Sequence, residues 1–389
     1  MKKLFLILFL AAFVACDNNT PTNPPIDNPL PMSGVAVPQL AAFDDAMQQY
    51  TAARGKKAGT LAIMKDGVVV FERGYGWKDR ELKTLLRPDA LFRLASVTKP
   101  ITAAAIRKLI REGRLNATDK VFCLPGSGTP CWFNLEPFGT PDPRLKDITI
   151  QQLLDHKAGW ERSNYDGVPH YWSHRIANAL GIPSPPSEQD YVRFMMGQPL
   201  NYAPGTTYSY SSFGYMLLGL IIEQVTGQTY LHYVQENIFN PLGIPDTEIG
   251  LARSLPEFHH PREPWYSSSF VGTSVFPPYM TVPLPDGGSH MEAVKGAGGL
   301  IASSRALLKF LQAYWADGTP RSGNGRTYIF FGGIDGTFTM AYWKSDGVNI
   351  VALFNKRKEG DLAPNDFEIM SILDRVADSI TNWPTTEPK

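Results

Sequence analysis

The sequence predicts an α+β fold: one antiparallel sheet built from N- and C-terminal segments, flanked by helices, with a mainly helical region inserted between them. Three observations predict it. Residues 60–64 and 68–75 are β-rich runs on either side of Lys65-Asp66-Gly67, and residues 338–343 and 348–354 repeat the pattern around Ser345-Asp346-Gly347. Asp-Gly between such runs supplies the backbone freedom a tight hairpin turn needs. Between the two hairpins the apolar residues recur mostly at helical spacing. Strands at both ends of a chain with helices between them close into a single sheet with a cleft beside the inserted part, a common place for a ligand.

The elements follow in order. A helix is expected over 38–54. Thr149-Ile150-Gln151-Gln152 forms a capping box for a helix carrying Leu153 and Leu154. Another helix is expected over 212–225, ending at Gly227 as a C′ glycine. One more starts near Ser303 with Leu307, Leu308 and Phe310, and an amphipathic helix over 367–380 closes the chain.

The bulk composition is that of a soluble globular protein, with 43% hydrophobic and 19% charged residues among 389. Lysine plus arginine equal aspartate plus glutamate at 37 each, so no overall field favours nucleic acid. The N-terminus is more specific. Lys2 and Lys3 precede the apolar stretch 4–14 and then Ala15-Cys16, the layout of an export signal over 1–15. That stretch falls short of the roughly 20 apolar residues of a membrane-spanning helix.

Cys16 after Ala15 resembles the lipobox of bacterial lipoproteins, whose cysteine receives the lipid, although Phe13 stands where leucine is usual. An ordinary signal peptide with an incidental cysteine is the alternative. Residues 16–36 then form a lipidated cysteine and a tether rich in asparagine, proline and threonine, leaving 37–385 as the folded domain. The expected place is the bacterial cell envelope, lipid-anchored, periplasmic or extracellular, with the lipid as the membrane contact. An oxidising envelope permits a disulfide between Cys123 and Cys131, though two free thiols fit the sequence as well.

The residues that carry chemistry begin with Ser96 and Lys99, three apart at the start of a helix running to about Glu112. Positions i and i+3 share a helix face, with Cβ atoms roughly 5–6 Å apart. A lysine takes a serine proton only while neutral, and free amines titrate near ~10.4, so such chemistry demands burial beside other donors. Free N–H groups at a helix N-terminus also favour an oxyanion. Taken alone, Ser-x-x-Lys equally describes an N-cap serine followed by a solvated lysine.

The surrounding motifs decide between the two. Residues 91–99 (LFRLASVTK) resemble the first motif of the serine β-lactamase and penicillin-binding-protein superfamily, in its class C-like branch of esterases, D-aminopeptidases and D-stereospecific carboxypeptidases. Residues 148–159 (ITIQQLLDHKAG), Ala203-Pro204-Gly205-Thr206, Tyr208-Ser209-Tyr210-Ser211-Ser212, 238–242 and 298–303 (GGLIAS) follow the branch's pattern in order. The resemblance implies Ser96 as acylated nucleophile, Lys99 as its proton acceptor and Tyr210 as the proton relay of the second motif. It implies no cofactor and no metal, and a β-lactamase/transpeptidase-like fold.

Two departures shape the expected substrate. The second motif usually ends in asparagine, and Ser212 stands there with a shorter hydroxyl that lacks the amide's donor pair. The third motif places lysine or histidine before x-Gly on a strand; here residues 328–333 (YIFFGG) put Phe330 in that position, ahead of Gly332 and Gly333. Lys295-Gly296 is not that motif, because it precedes the separate Gly298-Gly299 segment. Without the cation a substrate carboxylate loses its partner, while the N–H of Gly333 still serves as second oxyanion donor. Neutral esters or amides are therefore expected over acids. A carboxypeptidase or β-lactamase on cell-wall-type substrates, or a non-catalytic binding lipoprotein, are the alternatives.

Other sites fall away. No Gly-x-Ser-x-Gly elbow or His-Glu-x-x-His helix occurs. His259-His260 are adjacent in a loop and ill-placed to ligate one metal. His156 reads as a hydrogen-bonding structural residue. Trp160, Tyr165, Tyr171, Trp172, Trp265 and Tyr266 either line the cleft or pack.

Overall fold

The computed structural model describes residues 28–161, 172–323, 325–357 and 364–389. The export signal, Cys16 and most of the tether lie outside the described residues, as do Tyr165 and Tyr171.

In chain order the strands are β1 (Met32–Ser33), β2 (Ala58–Lys65), β3 (Val68–Gly76), β4 (Phe92–Arg93), β5 (Lys120–Phe122), β6 (Cys131–Phe133), β7 (Ile249–Leu251), β8 (Val271–Thr273), β9 (Thr281–Pro283), β10 (Leu300–Ala302), β11 (Tyr328–Ile334), β12 (Thr337–Trp343) and β13 (Val348–Phe354). The helices are α1 (Ala41–Arg54), α2 (Thr98–Arg111), α3 (Ile150–Leu154), α4 (Ser173–Leu180), α5 (Glu188–Met196), α6 (Ser212–Thr226), α7 (Tyr230–Val234), α8 (Ser304–Ala313) and α9 (Glu368–Ser379).

The α+β expectation holds. One six-stranded antiparallel sheet runs β1-β3-β2-β13-β12-β11, and its centre is the pairing of the N-terminal hairpin with the C-terminal one. Asp66 and Gly67 both take positive φ, 48° and 86°, as the first hairpin turn requires. Alternation along the central strands feeds two cores. Leu61, Ile63, Ile350 and Ala352 pack with α1 and α9, whereas Ala62, Met64, Val351 and Leu353 face α8 and the helical region. Each of the larger side chains among these, fully buried, is worth about 1.5–3 kcal/mol. Residues 212–222 of α6 are buried on every side, because that helix runs through the middle of the inserted region.

The sheet reaches further toward the N-terminus than composition indicates. The tether expected over 16–36 gives way to β1, where Met32 lies opposite Tyr75 and Ser33 opposite Gly74. Polar contacts join the packing of Leu30 against the core of α1 and α9 in holding this end. The Gln48 amide brackets Leu30, accepting from its N–H at 2.9 Å and donating to its carbonyl at 2.7 Å. Arg73 donates to the carbonyl of Gly34. Hydrogen bonds of this kind leave no hydrophobic pattern in a sequence.

The middle is also less helical than expected. A small sheet β4-β10-β7 and the β8–β9 hairpin lie there. Cys123 and Cys131 are joined, with Cα atoms 5.2 Å apart, beside the parallel pair β5–β6. No helix among the described residues is long and apolar enough to cross a membrane.

Candidate active site

The nucleophile turn joins the small sheet to the helical region. Residues Ala95–Val97 form a 3-10 turn that leads into α2, so Ser96 sits just ahead of the helix and Lys99 in its first turn. Ala95 takes φ 46°, a left-handed conformation that costs a residue with a Cβ of order 1 kcal/mol or more. Strand β10 fixes the turn from behind, since Leu94 N–H donates to the carbonyl of Leu300 at 2.8 Å.

Lys99 is 2% exposed. Its Nζ donates to the carbonyl of Ala297 at 2.7 Å and lies 3.4 Å from the Oγ of half-buried Ser96. No carboxylate among the described residues lies within ion-pair distance of that nitrogen. The alternative of a solvated lysine is thereby excluded. The amine is sheltered, held by a backbone carbonyl and turned toward the hydroxyl.

The second motif approaches from α6. Lys99 Nζ lies 4.9 Å from the centre of the Tyr210 ring and 5.9 Å from that of Tyr215. Burial pushes the Tyr215 phenol well above its ordinary range, so it stays neutral. Ser211 caps α6, its Oγ accepting from Gly214 N–H at 2.8 Å, and Ser212 is the buried first residue of the helix. His156 organises this corner. Its Nδ1 accepts from Ser211 N–H at 3.0 Å, its carbonyl accepts from Ser209 N–H at 2.8 Å, and its ring stacks on Tyr210 at 4.5 Å. An accepting Nδ1 leaves the proton on Nε2, which suits the hydrogen-bonding role read from the sequence.

The third motif lies on β11, the edge of the large sheet. Gly332 presses on the nucleophile turn: a Cβ there would stand 2.3 Å from Leu94 O and 3.1 Å from Ser96 N. Gly333 is exposed and a Cβ there would meet nothing within 4 Å. Phe330 lies two residues before Gly332, hence on the same face, half-buried against the core shared with the helical region. Phe331 points the other way and stacks on Phe338 and Phe367.

Sequence reasoning missed the Ala297 carbonyl and the ring of Tyr215. The Gly298-Gly299 segment was the available signal for the first. Lys295 lies apart from β11 and pairs with Glu188 at 2.8 Å and Glu223 at 2.7 Å. His259 Nε2 sits 2.9 Å from Arg93 Nη2, and burial together with that guanidinium pulls the imidazole down to about 4. No group of three or more His, Cys, Asp or Glu suited to a metal occurs among the described residues. Trp160 and Tyr266 are buried packing residues: Trp160 meets Phe122 and Phe213 edge-on, and the Tyr266 hydroxyl donates to Glu263 at 2.8 Å.

A serine on a strained turn, a sheltered lysine one helical turn on, a tyrosine two residues ahead of α6 and a Gly-Gly edge strand make a site of the β-lactamase and penicillin-binding-protein type. The family model for Beta-lactamase matches residues 43–357, and the chain belongs to that family of serine hydrolases. It is 28% identical over 273 residues to "Penicillin-binding protein 4*" of Bacillus subtilis, covering 67% of this chain and 52% of that protein. It is 32% identical over 206 residues to "Protein flp" of Staphylococcus aureus, covering 52% of this chain and 37% of that one. The chain thus spans about half or less of these relatives' length.

Among solved structures, the D-amino acid amidase from Ochrobactrum anthropi SV3 in complex with D-phenylalanine superposes with a TM-score of 0.61 at 18% identity, covering 88% of this chain and 99% of that one. SurE with D-Leu gives 0.60 at 17% identity, covering 90% and 78%. At these identities the likeness is one of fold.

Proposed function

We propose that this chain hydrolyses small neutral esters or amides through an acyl-enzyme on Ser96. One observation carries it: the Lys99 amine is buried, faces Ser96 Oγ, and has a carbonyl rather than a carboxylate for its near partner. The carbonyl fixes the nitrogen beside the hydroxyl, which is the placement a proton transfer from Ser96 needs. Ser96 Oγ bonds to the substrate carbonyl carbon as its proton passes to Lys99 Nζ. The N–H groups of Ser96 and Gly333 take the oxyanion. The bond to the leaving group breaks as that group is protonated through Lys99 and Tyr210. Water, giving up a proton by the same route, then cleaves the acyl ester and restores Ser96.

Phe330 supports the neutral preference, because the position on β11 where a cation would meet a substrate carboxylate carries an apolar side chain. Its similarity to a D-amino acid amidase and to a penicillin-binding protein favours a second reading, an amidase or peptidase with the same machinery. The N-terminal pattern Lys2-Lys3, apolar 4–14, Ala15-Cys16 supports an exported, lipid-anchored protein.

The test pairs a fluorophosphonate probe with two substrates. A mass adduct on Ser96, and hydrolysis of p-nitrophenyl butyrate well above that of a chromogenic cephalosporin, are expected. No adduct would leave a binding protein, and faster cephalosporin turnover would reverse the substrate assignment.

A further inference from the structure

We infer that Lys295 is a positioning residue for Lys99, acting through the backbone carbonyl of Ala297. This rests on Lys99 as the proton acceptor of the proposed reaction. It assigns a role to a lysine that lies outside the three motifs.

The segment from Val294 to Gly299 passes between α2 and α6 with almost no room. A Cβ on Gly296 would stand 2.6 Å from Tyr215 O and 2.9 Å from the Cα of Gly219, so two backbones meet directly. The turn is tight as well, for the Val294 carbonyl accepts from the N–H groups of Ala297, Gly298 and Gly299 at 2.8, 2.8 and 3.0 Å. Its next carbonyls are then delivered one by one to the catalytic helix. Gly296 O accepts from Thr102 Oγ1 at 2.7 Å, and Ala297 O accepts from Lys99 Nζ at 2.7 Å. Lys99 and Thr102 are i and i+3, on one face of α2.

Lys295 anchors the start of this run. Its ammonium bridges Glu188 at the start of α5 and Glu223 on α6. Glu223 is itself committed, because its Oε1 accepts from Tyr230 N–H at 2.8 Å, and Tyr230 OH lies 2.7 Å from Thr102 Oγ1. The circuit therefore closes on α2 twice, once through side chains and once through the backbone. Lys295 is 12% exposed and the two carboxylates about a quarter, so the pair is screened less than a surface bridge. Without the ammonium, two carboxylates from different helices would face each other across the gap. Glu188 and Glu223 are the charged partners of residue 295 among the described residues, and without them the carbonyl two residues on would lose its fixed aim at Lys99.

The experiment uses the full chain with p-nitrophenyl butyrate and a fluorophosphonate probe, comparing Lys295→Met, Lys295→Arg and the controls Ser96→Ala and Lys99→Met. Lys295→Met is expected to lower kcat and the rate of probe labelling about tenfold, with KM within about twofold, since the loss falls on proton transfer rather than binding. The acid limb of its kcat/KM profile is displaced from that of the parent chain. Lys295→Arg, which keeps both ion pairs, restores most of kcat. Thermal melts of each variant show the folded fraction, and rates are taken per folded molecule. Lys295→Met with parental kcat and an unmoved pH profile would overturn the clamp while Ser96→Ala stayed inactive. So would a loss explained wholly by unfolding, or one that Lys295→Arg failed to rescue. If Ser96→Ala or Lys99→Met kept full activity, the proposed reaction itself would fall.

Discussion

The two walls of the cleft are built on different terms. On the helical wall the proposed chemistry lies in side chains: Ser96, Lys99 and Tyr210 each present an atom or ring to it, and each is held by packing or hydrogen bonds. On the sheet wall, β11 offers mainly backbone, and its glycines are defined by what they approach. A side chain that reacts cannot be exchanged without changing the reaction. A strand that lends an N–H tolerates new side chains so long as its path is kept. That is why a phenylalanine can stand at position 330 in a chain that keeps Ser-x-x-Lys.

The largest expected effects lie on the helical wall. Ser96→Ala and Lys99→Met should each lower kcat/KM for p-nitrophenyl butyrate by about 10³-fold or more, with thermal stability little changed for the serine variant. Steady-state kinetics with parallel melts check this. A small loss for either would show that the side-chain wall does not carry the reaction.

Next come the adjacent glycines of β11, which set one wall against the other. Gly332→Ala should cost roughly 1–3 kcal/mol and most of the activity, because its methyl would be forced onto Leu94 O and the Ser96 turn. Gly333→Ala should stay within about 0.5 kcal/mol, since its methyl enters open space. Denaturant melts of both decide whether the strand acts through its path.

Phe330→Lys sharpens the comparison by moving chemistry onto the sheet wall. It should raise turnover of a carboxylate-bearing cephalosporin relative to the neutral ester by about tenfold, the scale of one added ionic hydrogen bond. An unchanged ratio would separate substrate charge from this position.

The smallest effect concerns the support behind the nucleophile strand. His259, at 6.5 when free and brought down to about 4 by burial and by Arg93, binds its proton later in the folded chain than in the unfolded one. Between these values the unfolded state holds more protons, so stability falls as pH drops from 6.5 toward 4. His259→Phe should flatten that part of a melting-temperature profile. A slope equal to the parent's would place the acid sensitivity elsewhere.

Much of the sheet was legible because alternation and Asp-Gly turns act between near neighbours. Strand β13 was read over its full span, 348–354, whereas β1 was hidden inside a polar stretch fixed by Gln48 and Arg73. The site divides the same way. Ser96 and Lys99 share a helix face by spacing alone, and Phe330 was visible as a change of residue type in a motif. That Gly332 touches the nucleophile turn could not be read, because 236 positions separate it from Ser96.

By itself, then, the sequence determined the two hairpins of the large sheet, the helices that begin and end the chain, and which two residues stand one helical turn apart, since each depends on interactions a few positions long. Only the tertiary structure decided that Lys99 is dry, that Ala297 rather than a carboxylate faces it, and that Lys295 is tied to α5 and α6. The surroundings of a charge are set by whatever the whole fold brings within a few ångströms, and chain order does not encode that distance.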